Sequence, residues 1–196
     1  SSLTNASLWV DYIFLDTEER KEFAQKPHEY LIECTQQQSS SVTAGSNNSV
    51  RLTFNHPTKF IAWVIRGADA DSNPGASRDE FTDFSSGDGT ANSITLGKIK
   101  LNGQDRFTER TPEYFNYVQP YQHFSGKPDV GVNVYSFALK PEEHQPSGAC
   151  NLSRIDNVNL ELTVASGMTY PVLDVYAFNY NVFRVASGMG GLAYSN

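Results

Sequence analysis

Val158-Asn159-Leu160-Glu161-Leu162-Thr163-Val164 decides the fold class of this chain. Apolar side chains fall on every second residue, and polar ones fill the positions between them. Successive side chains of a β-strand point to opposite faces, so this period of two predicts a strand with one buried face. The same pattern recurs outward from it. Val50, Leu52 and Phe54 alternate with Arg51, Thr53 and Asn55, and Tyr30, Ile32 and Cys34 alternate with more polar neighbours. Phe60 to Ile65 is apolar on both faces, as an inner strand would be. Ile94 and Leu96 lie on one phase and Ile99 and Leu101 on the other, which predicts a β-bulge at Gly97-Lys98. A weak strand over Gln104 to Arg110, then Val132 to Leu139 and Val175 to Val185, complete the set.

The segments between them are turns and loops, among them a polar, Ser-rich Gln36 to Asn48 and a long Gly67 to Asn92. Many short strands separated by turn signals specify a sandwich, and long loops favour a jelly roll over a tight barrel. The prediction is an all-β chain: an eight-stranded antiparallel jelly-roll β-sandwich with two short helices. One helix follows Asp16, which can cap it with Glu19 at the third helical position and Pro27 beyond its end. The other spans Pro112 to Tyr121, with Pro112 near its start. Ahead of the first helix, Leu8 to Leu15 reads as a short strand apolar on both faces, one that expects cover on two sides. A strand and a charged helix placed before the main domain read as a junction. Residues 1–27 are therefore expected to carry the last strand of a preceding domain plus a linker helix, and residues 28–196 the sandwich. Ser rather than Met at position 1 agrees with a longer polypeptide.

Composition narrows function. The 196 residues are 39% hydrophobic and only 19% charged, enough apolar matter for a core. Twelve Phe and ten Tyr suit pleated surfaces. The net charge is -7 with no run of Lys or Arg, so the cationic stripe that duplex nucleic acid rewards is missing, and direct genome binding is not expected. No stretch approaches the roughly 20 apolar residues that span a bilayer, so no membrane insertion is expected. Cys34 and Cys150 make neither a disulfide framework nor a Cys-x-x-Cys metal site; they are expected to be small buried hydrophobes in a reducing compartment.

Candidate motifs are weak. Asp69, Asp71, Asn73 and Glu80 fall at positions one, three, five and twelve of a calcium-loop template, but Pro74 stands where the template needs Gly, and a strand precedes it. A solvated insertion is the better reading, and no cofactor is expected. Gly188-Met189-Gly190-Gly191 follows a strand without a helix to hold a pyrophosphate, so it reads as a turn before a C-terminal tail. His28, His56, His123 and His144 show no metal-ligand spacing. Glu142-Glu143-His144 lies between Pro141 and Pro146 and reads as an exposed capping turn. Ser147 and Ser153 lack a nucleophile-elbow context, so no catalytic residue is assigned. Asn5, Asn47 and Asn151 each open an Asn-x-Ser triplet, a common pattern read here as ordinary loop or strand-edge residues rather than glycosylation sites.

Longer stretches carry a resemblance. Asp11-Tyr12-Ile13-Phe14-Leu15-Asp16-Thr17-Glu18-Glu19-Arg20, then Phe23-Ala24-Gln25 and His28-Glu29-Tyr30-Leu31-Ile32-Glu33, resemble the major capsid protein of nucleocytoplasmic large DNA viruses. So do Phe54-Asn55-His56-Pro57, Trp63-Val64, Leu101-Asn102-Gly103-Gln104-Asp105-Arg106-Phe107 and Val118-Gln119-Pro120-Tyr121. The longest match runs from Val134 to Gly148 and continues through Asn151 to Asp156. Asn179-Tyr180-Asn181-Val182 and Ser187 to Asn196 look like that family's C-terminus.

The resemblance implies a late virion structural protein, not an enzyme, built of two tandem jelly rolls. This chain matches the C-terminal one, with residues 8–27 at the junction. It further implies a homotrimeric capsomer that tiles an icosahedral shell assembled in the host cytoplasm, touching neighbouring capsomers and minor capsid proteins. Apolar and rigid composition outside any strand points to Leu192, Tyr194, Pro141 and Pro146 as subunit contacts. The alternative is a carbohydrate-binding β-sandwich, which would present aromatic platforms beside carboxylates. A cupin-type enzyme would need clustered His and Glu ligands, and the sequence has none at workable spacing.

Overall fold

A computed structural model describes residues 5–67, 83–86, 91–168 and 170–194. They divide into two compact units: Ile32 to Asn181, and the residues up to Leu31 together with those from Val182 onward.

The larger unit is a jelly-roll sandwich of two sheets. One contains β1 (His28–Ser41), β3 (Pro57–Arg66), β6 (Asn133–Ser136) and β9 (Val172–Ala186) in the order β1-β9-β3-β6, with the short β7 (Cys150–Asn151) on β3. The other has the order β2-β8-β4-β5, from β2 (Asn47–Leu52), β8 (Val158–Val164), β4 (Ile94–Leu101) and β5 (Gln104–Asp105). The pairings of β3 with β6, β7 and β9, and of β8 with β2 and β4, are antiparallel. β8 occupies the residues its alternation predicted, and every second side chain is buried.

The core lies between the sheets. Ile61, Trp63 and Ile65 of β3 and Leu173, Val175 and Ala177 of β9 face Leu160, Leu162 and Val164 of β8 and Ile99 of β4. Phe115 closes one side, its ring edge-on to Trp63 at 5.1 Å. It sits in a helical run over residues 112–123, where a five-residue π-helical turn, Tyr114–Val118, leads into α2 (Gln119–His123). α1 (Thr17–Gln25) begins as predicted, with the Asp16 carboxylate accepting the Glu19 N–H at 2.9 Å.

Several expectations are corrected. The polar segment expected to be a loop from Gln36 continues β1 as far as Ser41. Its inward residues are amides rather than hydrocarbons. The Gln36 side chain donates to the Asn55 carbonyl at 2.7 Å and accepts the Asn55 N–H at 3.1 Å. Gln38 does the same with the Arg51 carbonyl and the Thr53 N–H. Each glutamine mimics a peptide group, so no apolar period was there to be read. The bulge in β4 falls between Ile94 and Leu96, not at Gly97-Lys98. Gly97 instead takes a core-facing position, where a Cβ would stand 3.0 Å from Leu162 and 3.2 Å from Phe115. The strand expected over Gln104 to Arg110 shrinks to β5 plus a lone bridge from Arg110 to Gly97. Among the described residues there are six strands in one sheet and four in the other rather than eight in all, because β7 and β10 (Met189–Leu192) are too short to show a period.

Leu8 to Leu15 forms no strand. A strand exists only by pairing with another, and these residues pair with none of the described ones. In the same unit, the last turn of β9 folds back through Ser187 and Gly188, both at positive φ, onto β10. Two consecutive left-handed residues give the tight hairpin turn whose twist matches its strands.

Candidate interaction surfaces

Lys59 organises the most elaborate surface feature. The register of β3 against β9 slips between Thr58 and Phe60, and the extra residue, Lys59, turns its side chain into a closed site. Its side chain is only 2% exposed. The ammonium donates to Glu33 Oε1 at 2.7 Å and to the Pro141 carbonyl at 2.8 Å, and lies 5.4 Å from the centre of the Tyr180 ring. A buried charge survives only when paired and hydrogen-bonded, and Glu33 with Pro141 supplies both. Burial first, and the Glu33 carboxylate second, push the Tyr180 phenol above its ordinary value, so it faces Lys59 as a neutral group.

The same residue fixes the loop that follows β6. The Lys59 carbonyl accepts the Phe137 and Ala138 N–H groups at 2.8 and 3.1 Å. Ser147 then closes the loop: its hydroxyl accepts the Lys140 N–H at 2.9 Å and donates to the Lys140 carbonyl at 3.2 Å. Glu142 reaches sideways to Ser125, accepting from its N–H at 2.8 Å and its hydroxyl at 3.1 Å. This clamped loop displays Leu139, 71% exposed, beside His123, whose Nδ1 lies 3.0 Å from the Leu139 carbonyl.

Next to it a groove of about 640 Å³ is lined by Tyr117, Val118, Pro120, Tyr121, Phe124 and Lys127. Tyr121 is 90% exposed, and the Lys127 ammonium sits 4.3 Å over the Tyr117 ring. Large exposed apolar residues on a rigid support mark contact surfaces.

The four contact residues expected from sequence separate. Leu192 on β10 and Tyr194 just past it are exposed, and so is Pro146. Pro141 is buried within its own chain as the acceptor for Lys59, so it cannot present its ring to a neighbour. Asn5 and Asn47 are exposed, whereas Asn151 is half-buried and its side chain accepts the Ser153 N–H. Asp69, Asp71, Asn73 and Glu80 lie outside the described residues. Among the described residues, no group of three or more His, Cys, Asp or Glu could hold a metal. Ser147 and Ser153 are engaged in loop bonding, the latter accepting the His56 N–H at 2.7 Å. Cys34 and Cys150 are half-buried free thiols, and burial raises that of Cys150 while Arg106 opposes the shift. Sequence reasoning missed Lys59, Glu33 and the Tyr117–Lys127 groove. The one available signal was a lysine directly ahead of the apolar run Phe60 to Ile65.

Two antiparallel sheets stacked over an aromatic interior define a jelly-roll sandwich. The chain belongs to the family described as the large eukaryotic DNA virus major capsid protein, which it matches over residues 19–191. It is 45% identical to the major capsid protein of Pyramimonas orientalis virus, over 100% of this chain and 50% of that protein. It is also 45% identical to that of Paramecium bursaria Chlorella virus 1, over 97% of this chain and 54% of that one. A crystal structure of PBCV-1 VP54, fitted into a cryo-EM reconstruction of the virophage Sputnik, superposes with a TM-score of 0.80 at 39% identity, covering 94% of this chain and 56% of that one. The Faustovirus major capsid protein shares the fold, with a TM-score of 0.67 at 16% identity over 86% of this chain and 36% of that one. The chain thus spans about half the length of the curated relatives it matches.

Proposed function

We propose that the chain is the C-terminal jelly roll of a two-jelly-roll major capsid protein, and that the complete polypeptide forms a homotrimeric capsomer of an icosahedral shell. The carrying observation is the smaller unit. Among the described residues, none of its hydrophobic side chains is buried, yet Leu8, Trp9, Val10, Tyr12, Ile13, Phe14, Leu192 and Tyr194 are all exposed in it. Apolar surface on that scale is stable in water only when something covers it. Residues 8–15 supply a strand's worth of apolar chain to a first jelly roll, and Leu192 with Tyr194 supplies contact surface between subunits. A rigid sandwich suits a part repeated by symmetry, since one modest contact recurs throughout a shell. Neighbouring capsomers and minor capsid proteins are the further partners, the virion capsid is the site of action, and host cytoplasm is where assembly takes place. A net charge of -7 and a sequence without a run of Lys or Arg argue against direct contact with the genome.

Carbohydrate binding would use Tyr117 and Tyr121 as platforms, but Glu142, the carboxylate that reaches Ser125 of this groove, is committed to that residue. The deciding measurement is the native mass of the full-length polypeptide in solution. A trimer is expected, with Leu192→Ser plus Tyr194→Ser shifting it toward smaller species. A stable full-length monomer overturns the proposal.

A further inference from the structure

We infer that Gln36, Gln38 and Asn48 form an amide zipper that occupies the open edge between β1 and β2 and keeps it from pairing with a strand of another chain. β1 and β2 each stand at an edge of their sheet, and β1 is 14 residues long. They follow one another in sequence but lie in different sheets, so among the described residues no backbone ladder joins them. Edge strands offer bare N–H and C=O groups to any extended segment that reaches them.

The zipper takes the place of that ladder. Gln36 holds the N–H and the carbonyl of Asn55, while Gln38 donates to the Arg51 carbonyl at 2.7 Å and accepts the Thr53 N–H at 2.9 Å. Asn48 works in the reverse direction, accepting the Thr43 N–H at 2.7 Å and donating to the Thr43 carbonyl at 2.9 Å. Gln36 opposite Asn55, Gln38 opposite Thr53 and Thr43 opposite Asn48 lie on one antiparallel register, each step along one arm matched by an equal step back along the other. Unrelated surface contacts have no reason to keep a common register. The Gln36 amide also donates to Asn179 Oδ1 at 3.0 Å, which ties the zipper to β9.

An amide suits the task because it presents a donor and an acceptor side by side, as a peptide group does. A carboxylate would set an oxygen against the Arg51 or Asn55 carbonyl, and a hydrocarbon would bond nothing. Arg51, Thr53 and Asn55 are exposed, so water could satisfy the same backbone groups. What the amides add is occupancy. The stretch they cover, Val50-Arg51-Leu52-Thr53-Phe54, is rich in residues that favour strands, and uncovered it would pair readily. The inference stands apart from how copies assemble.

Two measurements on the full polypeptide test it: hydrogen exchange, and loss to sheet-rich aggregate followed by thioflavin fluorescence. Gln36→Met with Gln38→Met keeps side-chain length and removes both amides. Peptides covering 51–55 should then exchange about tenfold faster or more, the scale of one net hydrogen bond, while those of β8 stay unchanged. Aggregate should form faster by a similar factor. Gln37→Met is the control, adding the same side chain to the same strand at an amide that lies 3.5 Å from Tyr176 Oη instead. If the double variant does not fold, Gln38→Met alone is read in the same way. Unchanged exchange over 51–55, faster exchange without faster aggregation, or equal aggregation of Gln37→Met would each overturn the guarding role.

Discussion

The two units of this chain follow opposite rules from the same alphabet. Between Ile32 and Asn181, apolar side chains are turned inward until Trp63, Ile65, Ile99, Leu160 and Leu173 are wholly closed to solvent. In the smaller unit Trp9 is 91% exposed and Phe14 92%, and α1 buries none of its residues. Local propensity does not separate them: both carry aromatic and branched residues, and α1 has a sound cap and two i,i+3 or i,i+4 ion pairs. What separates them is partners. Helix caps and short turns give shape to a segment, but only packing against a second layer gives it substantial stability.

Substitutions can break or sharpen that contrast. The largest effect is expected at Trp63→Ala, which empties the centre of the larger unit and should cost about 3–5 kcal/mol of unfolding free energy in denaturant titrations. A cost below 1 kcal/mol would mean the sandwich is not packed as described. Gly97→Leu should come next. Its Cβ would already press on Leu162 and Phe115, and overpacking of this kind costs typically 1–3 kcal/mol, seen as a lowered denaturation midpoint. The smallest effect is expected at Trp9→Ser in this 196-residue chain. It should move unfolding by less than about 0.5 kcal/mol while lowering binding of a hydrophobic dye. A large loss of stability at Trp9 would show that the smaller unit has a core of its own.

The parts legible in the sequence were those where burial and chemistry coincide. Val158 to Val164 reads directly because its inward residues are all hydrocarbon, and Phe60 to Ile65 reads as inner strand for the same reason. The cap at Asp16 was visible because capping is local chemistry. Gln36 and Gln38 were opaque, since a side chain that copies a peptide bond looks like loop composition. The β4 bulge was misplaced because Gly97 has no side chain to declare its face. Lys59 was missed because its burial depends on a slipped register with β9, a relation between distant segments that a period cannot encode. At the surface, Leu192, Tyr194 and Pro146, expected from sequence as subunit contacts, are exposed, although Leu192 lies in β10 rather than outside a strand. Pro141 is not, because its carbonyl, which any residue could offer, is what the fold uses.

The ends of the sheets have one more consequence. β5 is two residues long and β6 only four, with β6 buried throughout and packed against the helical run that ends at His123. Open, flat margins would let one molecule add its backbone to the next without limit. At these two margins, β5 trimmed and β6 covered, copies are steered toward meeting through side chains whose geometry can be satisfied and then stops, while β1 and β2 form the opposite edges. At those margins, copies at high local concentration run less risk of growing into fibres.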